Sequence, residues 1–209
     1  EERERQFLED LPRMHEADLD RRAIRVVARL RGQPPPPVGE AWDDGLAATF
    51  SEAGEIRELL RVYADAFIAG VPAPAEVGGI LARLALRWRL GVVSNWPLGV
   101  IVERYLEAAG WRACFDAVVV SQTVGWIKPD RRIFEAAAAR LGIARPASVL
   151  HVGDDLGADV AGARAVGWRT AWLRSRPLDS PLPTAEAAAD VRPDLTLDRL
   201  EELPELLGA

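Results

Sequence analysis

The chain has 209 residues, 49% of them hydrophobic, with 26 basic and 32 acidic side chains, a formal net charge of −6 and a pI near 5.1. That is enough apolar content for one α/β domain, or for a core domain with a small accessory unit, and disorder is not the expected state. The acidic balance leaves no electrostatic footprint for nucleic acid or an anionic membrane, so small molecules are the expected partners.

One cysteine, Cys114, excludes an intrachain disulfide and fits a reducing, cytoplasmic setting, and two histidines are too few for a histidine-based metal cage. Arg83, Arg87 and Arg89 interrupt the longest apolar stretch, so no run approaches the roughly 18 residues of a membrane span. Glu1-Glu2-Arg3-Glu4-Arg5 is not a signal peptide. The only methionine is Met14, so the chain does not begin as a translation start would.

Taken in order, residues 1–73 read as a helical unit and 74–209 as a second unit of different texture. A helical pattern runs from Asp20 to Arg31, and Gln33-Pro34-Pro35-Pro36-Pro37 forms a stiff connector. From Glu55 to Ala69, the residues Ile56, Leu59, Leu60, Tyr63 and Phe67 fall on one helical face. Gly70-Val71-Pro72-Ala73-Pro74 marks a boundary and hinge.

After Pro74, short apolar runs alternate with amphipathic segments, the pattern of a parallel sheet covered by helices. Strands are predicted over Leu90–Val93, Phe115–Val120, Ser148–Val152 and Trp168–Leu173, with a short one near Leu195. Helices are predicted from about Leu98 to Ala109, Arg131 to Leu141, Gly157 to Val166 and Asp198 to Leu207. In the second of these helices, Ile133, Phe134, Ala137 and Leu141 face inward. Prolines 177, 181, 183 and 193 make Ser175–Pro193 a loop.

In such a sheet, the loops after the strands gather along one edge. Three of them carry chemistry. The first presents Ser94-Asn95-Trp96, the second holds Lys128-Pro129, and the third presents Gly153-Asp154-Asp155 with Asp159 close behind. Lys128 is the only lysine among the 26 basic residues. A hydroxyl, an amide, an ammonium and a carboxylate cluster are what a phosphoryl group and Mg²⁺ require.

Each feature also has a plainer use. Ser94-Asn95 can cap the helix after Pro97, and Asp154-Asp155 can cap the next one. His151 suits a hydrogen-bonded core histidine, and Trp96 and Trp126 suit packing. Their joint occurrence in three loops at one edge favours a site.

At these residues the chain resembles the haloacid dehalogenase-like (HAD) hydrolase superfamily, in particular phosphatases with a small helical cap. The resemblance rests on Leu90-Gly91-Val92-Val93-Ser94-Asn95, Lys128-Pro129-Asp130 and His151-Val152-Gly153-Asp154-Asp155 through Asp159, with support from Cys114–Ser121 and Ala161–Ala165. It implies a Rossmann-like core and Mg²⁺-dependent hydrolysis of a small-molecule phosphate ester through a phospho-aspartyl intermediate. Ser94, Asn95 and Lys128 are then the phosphoryl-binding residues, with Ser94 and Lys128 catalytic, and Asp154 holds the metal with Asp155 or Asp159 assisting.

The family's first motif, an apolar strand ending in D-x-D, has no counterpart here. Asp18-Leu19-Asp20 has the spacing, but Met14-His15-Glu16-Ala17 is not a buried strand and Arg21-Arg22 follows. The expectation is therefore a core whose first, central strand lies outside this chain, and a chain inactive as it stands. Two alternatives remain: a metal-free 2-haloacid dehalogenase, and a non-catalytic phosphate-binding or interaction module. The resemblance favours the phosphatase over the dehalogenase, whose members resemble Ser-Ser-Asn where this chain has Gly153-Asp154-Asp155.

Overall fold

The computed structural model describes residues 1–16, 18–37, 42–176, 185 and 190–208. Its first part is helical: α1 (Glu2–Asp10), α2 (Leu19–Leu30), α3 (Asp44–Ala48) and α4 (Ala53–Gly70). Asp18 caps α2, its carboxylate accepting the Asp20 amide at 2.8 Å, and so satisfies a helix end. Arg25, buried on α2, ion-pairs with Glu2 and Glu9 of α1 and Asp44 of α3 and donates to the Trp42 carbonyl. Charge thus ties three short helices around one guanidinium.

The inward stripe of α4 is narrower than its sequence pattern predicts. Ile56 and Ala64 are buried and Leu60 and Phe67 pack beside them, whereas Leu59 and Tyr63 are exposed. The helix packs mainly against α2 on one side and residues 96–101 on another, and Leu59 and Tyr63 face outward. Residues 71–74 then turn the chain by 95° into α5 (Ala75–Ala85). No single helix among the described residues is long and apolar enough to cross a membrane.

The remainder is Rossmann-like. Strands β1 (Gly91–Ser94), β2 (Ala117–Val120), β3 (Leu150–Gly153), β4 (Arg169–Leu173) and β5 (Leu195–Leu197) alternate with α6 (Gly99–Ala108), α7 (Ser121–Val124), α8 (Arg131–Leu141) and α9 (Gly162–Ala165), and α10 (Glu202–Leu206) follows. Every ladder is parallel. In α8 the predicted residues Ile133, Phe134, Ala137 and Leu141 are the buried ones, and Gly142 closes the helix. The predicted loop from Ser175 to Pro193 falls largely outside the described residues.

The strands form two ladders, β1-β2 and β3-β4-β5, with no hydrogen bonding between β1 and β3. Shared cores hold the halves together on both faces. Val119, Ile133, Phe134, Ala137, Ala163 and Trp168, with Val93 and Val149, make one; Ile80, Leu84, Ala171, Leu197 and Leu203, with Leu90, Leu150 and Val152, make the other. Between β1 and β3 the join is made by apolar side chains rather than by a ladder.

One predicted helix differs. Gly157–Val166 is a π-helical run over Leu156–Ala161 continued by α9. Widened turns of this kind recur at functional sites. Here the run turns Asp159 back toward β3.

Candidate active site

Three loops meet at the C-terminal ends of β1 and β3. Asn95, one residue past β1, joins two of them. Its Nδ2 donates to the Lys128 carbonyl at 3.0 Å and its Oδ1 accepts the Lys128 amide at 2.6 Å. Ser94 ends β1 opposite Val120. Neither residue caps α6, whose N-cap is Leu98. The plainer use of the Ser94-Asn95 pair therefore does not apply.

The Lys128 side chain ties β1 to the π-helical run after β3. Its Nζ donates to the Val93 carbonyl at 2.8 Å and to Asp159 Oδ1 at 2.6 Å, with 12% of the lysine side chain and 5% of the aspartate side chain exposed. His151 Nε2 bonds the same Asp159 oxygen at 3.1 Å, and the Asp155 amide donates to Oδ2 at 3.1 Å. Burial alone would raise the Asp159 pKa, but the His151 hydrogen bond and the Lys128 charge overcome it and hold the carboxyl well below the usual carboxylate range. The buried His151 ring is pushed down, first by desolvation and further by Lys128, against the opposing pull of Asp159. At neutral pH the imidazole is uncharged and Nε2–H is the donor, as expected for a core histidine. Phe134 and Trp168 pack edge-on and tilted against it.

Two glycines permit this approach. A Cβ on Gly153 would overlap the Asp159 side chain, and one on Gly162 would come within 2.9 Å of both the Phe134 ring and the Pro129 Cα. The Lys128–Pro129 peptide bond is cis.

The remaining aspartates divide their work. Asp155 caps the π-helical run, its Oδ1 accepting the amides of Gly157 and Ala158 at 2.9 and 2.8 Å. Asp154 is more exposed, at 36%, and Arg176 grips it with two bonds of 2.8 and 3.0 Å. Trp172 fixes the backbone there, Nε1 donating to the Asp154 carbonyl at 3.2 Å. Arg176 has no distinguishing local signal in the sequence, and only the parallel register of β3 and β4 brings it to Asp154.

A second contact crosses from the helical part. Residues 14–16 run antiparallel beside 125–127, with Ile127 N donating to the Met14 carbonyl at 2.9 Å and a His15–Trp126 bridge. Glu16 accepts from buried Ser121, whose Oγ accepts the Trp96 amide at 2.8 Å. Trp126 packs on His15 under Arg132, and Trp96 packs on Phe67. Both tryptophans thus have the packing use.

The model of the haloacid dehalogenase-like hydrolases matches residues 10–167, most of the chain and all three loops. The chain belongs to this family. It is 30% identical over 168 residues to the pyrimidine 5'-nucleotidase YjjG of Escherichia coli, covering 80% of this chain and 68% of that one. It is 35% identical over 147 residues to a phosphoserine phosphatase of Thermus thermophilus, covering 68% and 56%. The chain thus spans about two thirds or less of these relatives. Among solved structures, a 2-haloacid dehalogenase of Pseudomonas syringae pv. Tomato superposes with a TM-score of 0.69 at 26% identity, covering 99% of this chain and 78% of that one.

Phosphatases of this family use Mg²⁺, and the donor chemistry bears on whether these residues fit it. No group of three or more His, Cys, Asp or Glu side chains gathers for a metal among the described residues. Mg²⁺ needs only one or two carboxylates beside waters and substrate phosphate. Asp154 meets that demand, and a guanidinium already lies against it, so the spot draws positive charge. Asp155 and Asp159 have their oxygens committed to amides, Lys128 and His151.

Proposed function

We propose that this HAD-family hydrolase is a Mg²⁺-dependent phosphatase of a small phosphorylated metabolite, with Ser94, Asn95 and Lys128 holding the phosphoryl group and Asp154 the metal. The observation that carries this reading is the posture of Lys128. Its ammonium has three N–H donors, and Val93 and Asp159 take two, leaving one to donate to an anion. The Ser94 hydroxyl ends the same strand and donates to a second oxygen. Asn95 binds through its position, fixing the Lys128 backbone.

Asp159 and His151 orient the lysine without touching substrate. Bound Mg²⁺ supplies charge neutralisation for the phosphoryl oxygens. The nucleophile is then carried by a further parallel strand of about five or six residues beside β1 and β3, two strands that do not pair with each other. On this reading the 209-residue chain alone binds phosphate but does not turn it over. The likeness to a pyrimidine 5'-nucleotidase and a phosphoserine phosphatase supports the substrate class, and the small helical part, residues 1–73, serves as its cap.

The Pseudomonas syringae likeness keeps a metal-free dehalogenase as the second reading. Phosphate release from an aryl phosphate and halide release from a 2-haloacid, each with and without chelator, separate the two. The assays use the 209-residue chain and a version with an added N-terminal strand ending Asp-x-Asp. Chelator-sensitive phosphate release by the extended version alone is expected. Chelator-insensitive halide release would establish the dehalogenase, and appreciable phosphate turnover by the 209-residue chain would refute the assignment of the nucleophile to a further strand.

A further inference from the structure

Arg176 stands where a cation is wanted. It follows β4 by three residues, and β4 runs parallel to β3 with Trp172 opposite Gly153, so the two chain ends leave the sheet side by side. Its Nε and a terminal nitrogen face the two Asp154 oxygens at 2.8 and 3.0 Å, and its other terminal nitrogen reaches Asp155 Oδ2 at 3.5 Å. Forked, two-point contact is the strongest geometry a guanidinium and carboxylate make. The arginine side chain is 18% exposed, which limits screening by solvent. Asp155 Oδ2 also accepts the Ala185 amide at 2.9 Å, so Asp155 does not depend on Arg176 for a partner.

The two Asp154 oxygens are the ones a metal would use. A divalent ion and a guanidinium compete for them at these distances, because like charges a few ångströms apart repel strongly at the edge of a protein.

We propose that Arg176 is a built-in competitor for the metal position: its guanidinium holds the Asp154 carboxylate until a divalent cation displaces it, which sets the chain's metal affinity below what Asp154 alone would give. This rests on Asp154 being the metal carboxylate, as proposed above. Arg176 acts through Asp154 and is a positioning residue. Without metal it keeps the carboxylate of Asp154 oriented and its charge neutralised. Loss of Arg176 leaves that charge uncompensated, and uncompensated carboxylates at an edge attract divalent ions.

The test is Mn²⁺ binding to the purified 209-residue chain, followed by the loss of free-ion electron paramagnetic resonance signal, so no turnover is involved. Arg176→Met keeps the apolar stem and removes the charge; it should bind Mn²⁺ about tenfold more tightly than the unmodified chain. Arg176→Lys, which retains a charge without the fork, should fall between the two. Asp154→Asn should remove the binding. Circular dichroism of each variant separates a local effect from unfolding, and the lysine variant carries the test if the methionine variant is unfolded. Equal or weaker affinity in a folded Arg176→Met or Arg176→Lys chain would overturn the proposal, as would undiminished binding by Asp154→Asn or no binding by any chain at millimolar Mn²⁺. If Mn²⁺ binding follows the expected order while the extended chain releases no phosphate, the competition stands and the phosphatase reading falls.

Discussion

Asn95 clasps the backbone of Lys128 from both sides, accepting its amide at 2.6 Å and donating to its carbonyl at 3.0 Å. A side-chain amide here does what a neighbouring strand would do for a peptide unit. It makes the loop after β1 and the loop before α8 one rigid piece, so the lysine's posture depends on a residue 33 positions away.

Asn95→Ala should therefore cost about 1–3 kcal/mol in urea unfolding, since two part-buried backbone groups lose their partners. It should also weaken orthophosphate binding although the Lys128 side chain is untouched. A stability change under about 0.5 kcal/mol would show that the clasp is incidental.

Lys128 and Asp159 form a buried pair, so removing one partner strands the other. Lys128→Met should destabilise by about 3–5 kcal/mol. The double variant Lys128→Met with Asp159→Asn should recover part of that loss, and a double-mutant cycle in urea reads the coupling. Additive losses would contradict the pairing.

Two glycine substitutions should act in opposite directions. Gly153→Ala places a Cβ on the Asp159 side chain and should cost about 1–3 kcal/mol, as overpacking does. Gly79→Ala on α5 meets nothing within 4 Å and should add about 0.5–1 kcal/mol. Thermal unfolding of both compares them directly.

His151 gives the fold an acid-side weakness. Its pKa lies below the ordinary 6.5 because the ring is buried, so the unfolded chain binds a proton there that the folded chain refuses. Stability is complete above 6.5 and is lost as pH falls from there toward the folded value. Asp159, depressed as well, keeps its contribution until pH falls below its ordinary 3.8. Between about pH 7.5 and 5.5 the melting temperature should fall, and His151→Gln should flatten that slope. An unchanged slope would place the proton elsewhere.

Much of this was legible in the chain. The inward face of α8 is readable because four apolar residues repeat at helical spacing without interruption, and the three loops are readable because parallel topology forces strand ends to one edge. Leu59 and Tyr63 were not legible as exposed, since an apolar pattern marks what can be buried and α4 turns Ile56, Leu60, Ala64 and Phe67 to its neighbours instead. The split between Asp154, Asp155 and Asp159 was hidden too. Adjacent carboxylates look alike in sequence, and it takes the π-helical run to turn one to a helix end and another to a lysine, and Arg176 from a distant loop to claim the third.

The central claim is that Lys128 holds one donor toward a phosphoryl group at this edge. Calorimetric titration of the 209-residue chain with orthophosphate in the presence of Mg²⁺, beside Lys128→Arg, tests it most directly. An arginine is longer, planar and forked, so it cannot bond Val93 and Asp159 and still present the same donor. Saturable one-to-one binding, weakened at least tenfold in a folded Lys128→Arg chain, is the result expected; equal binding by the two chains, or none by the unmodified one, would contradict the account.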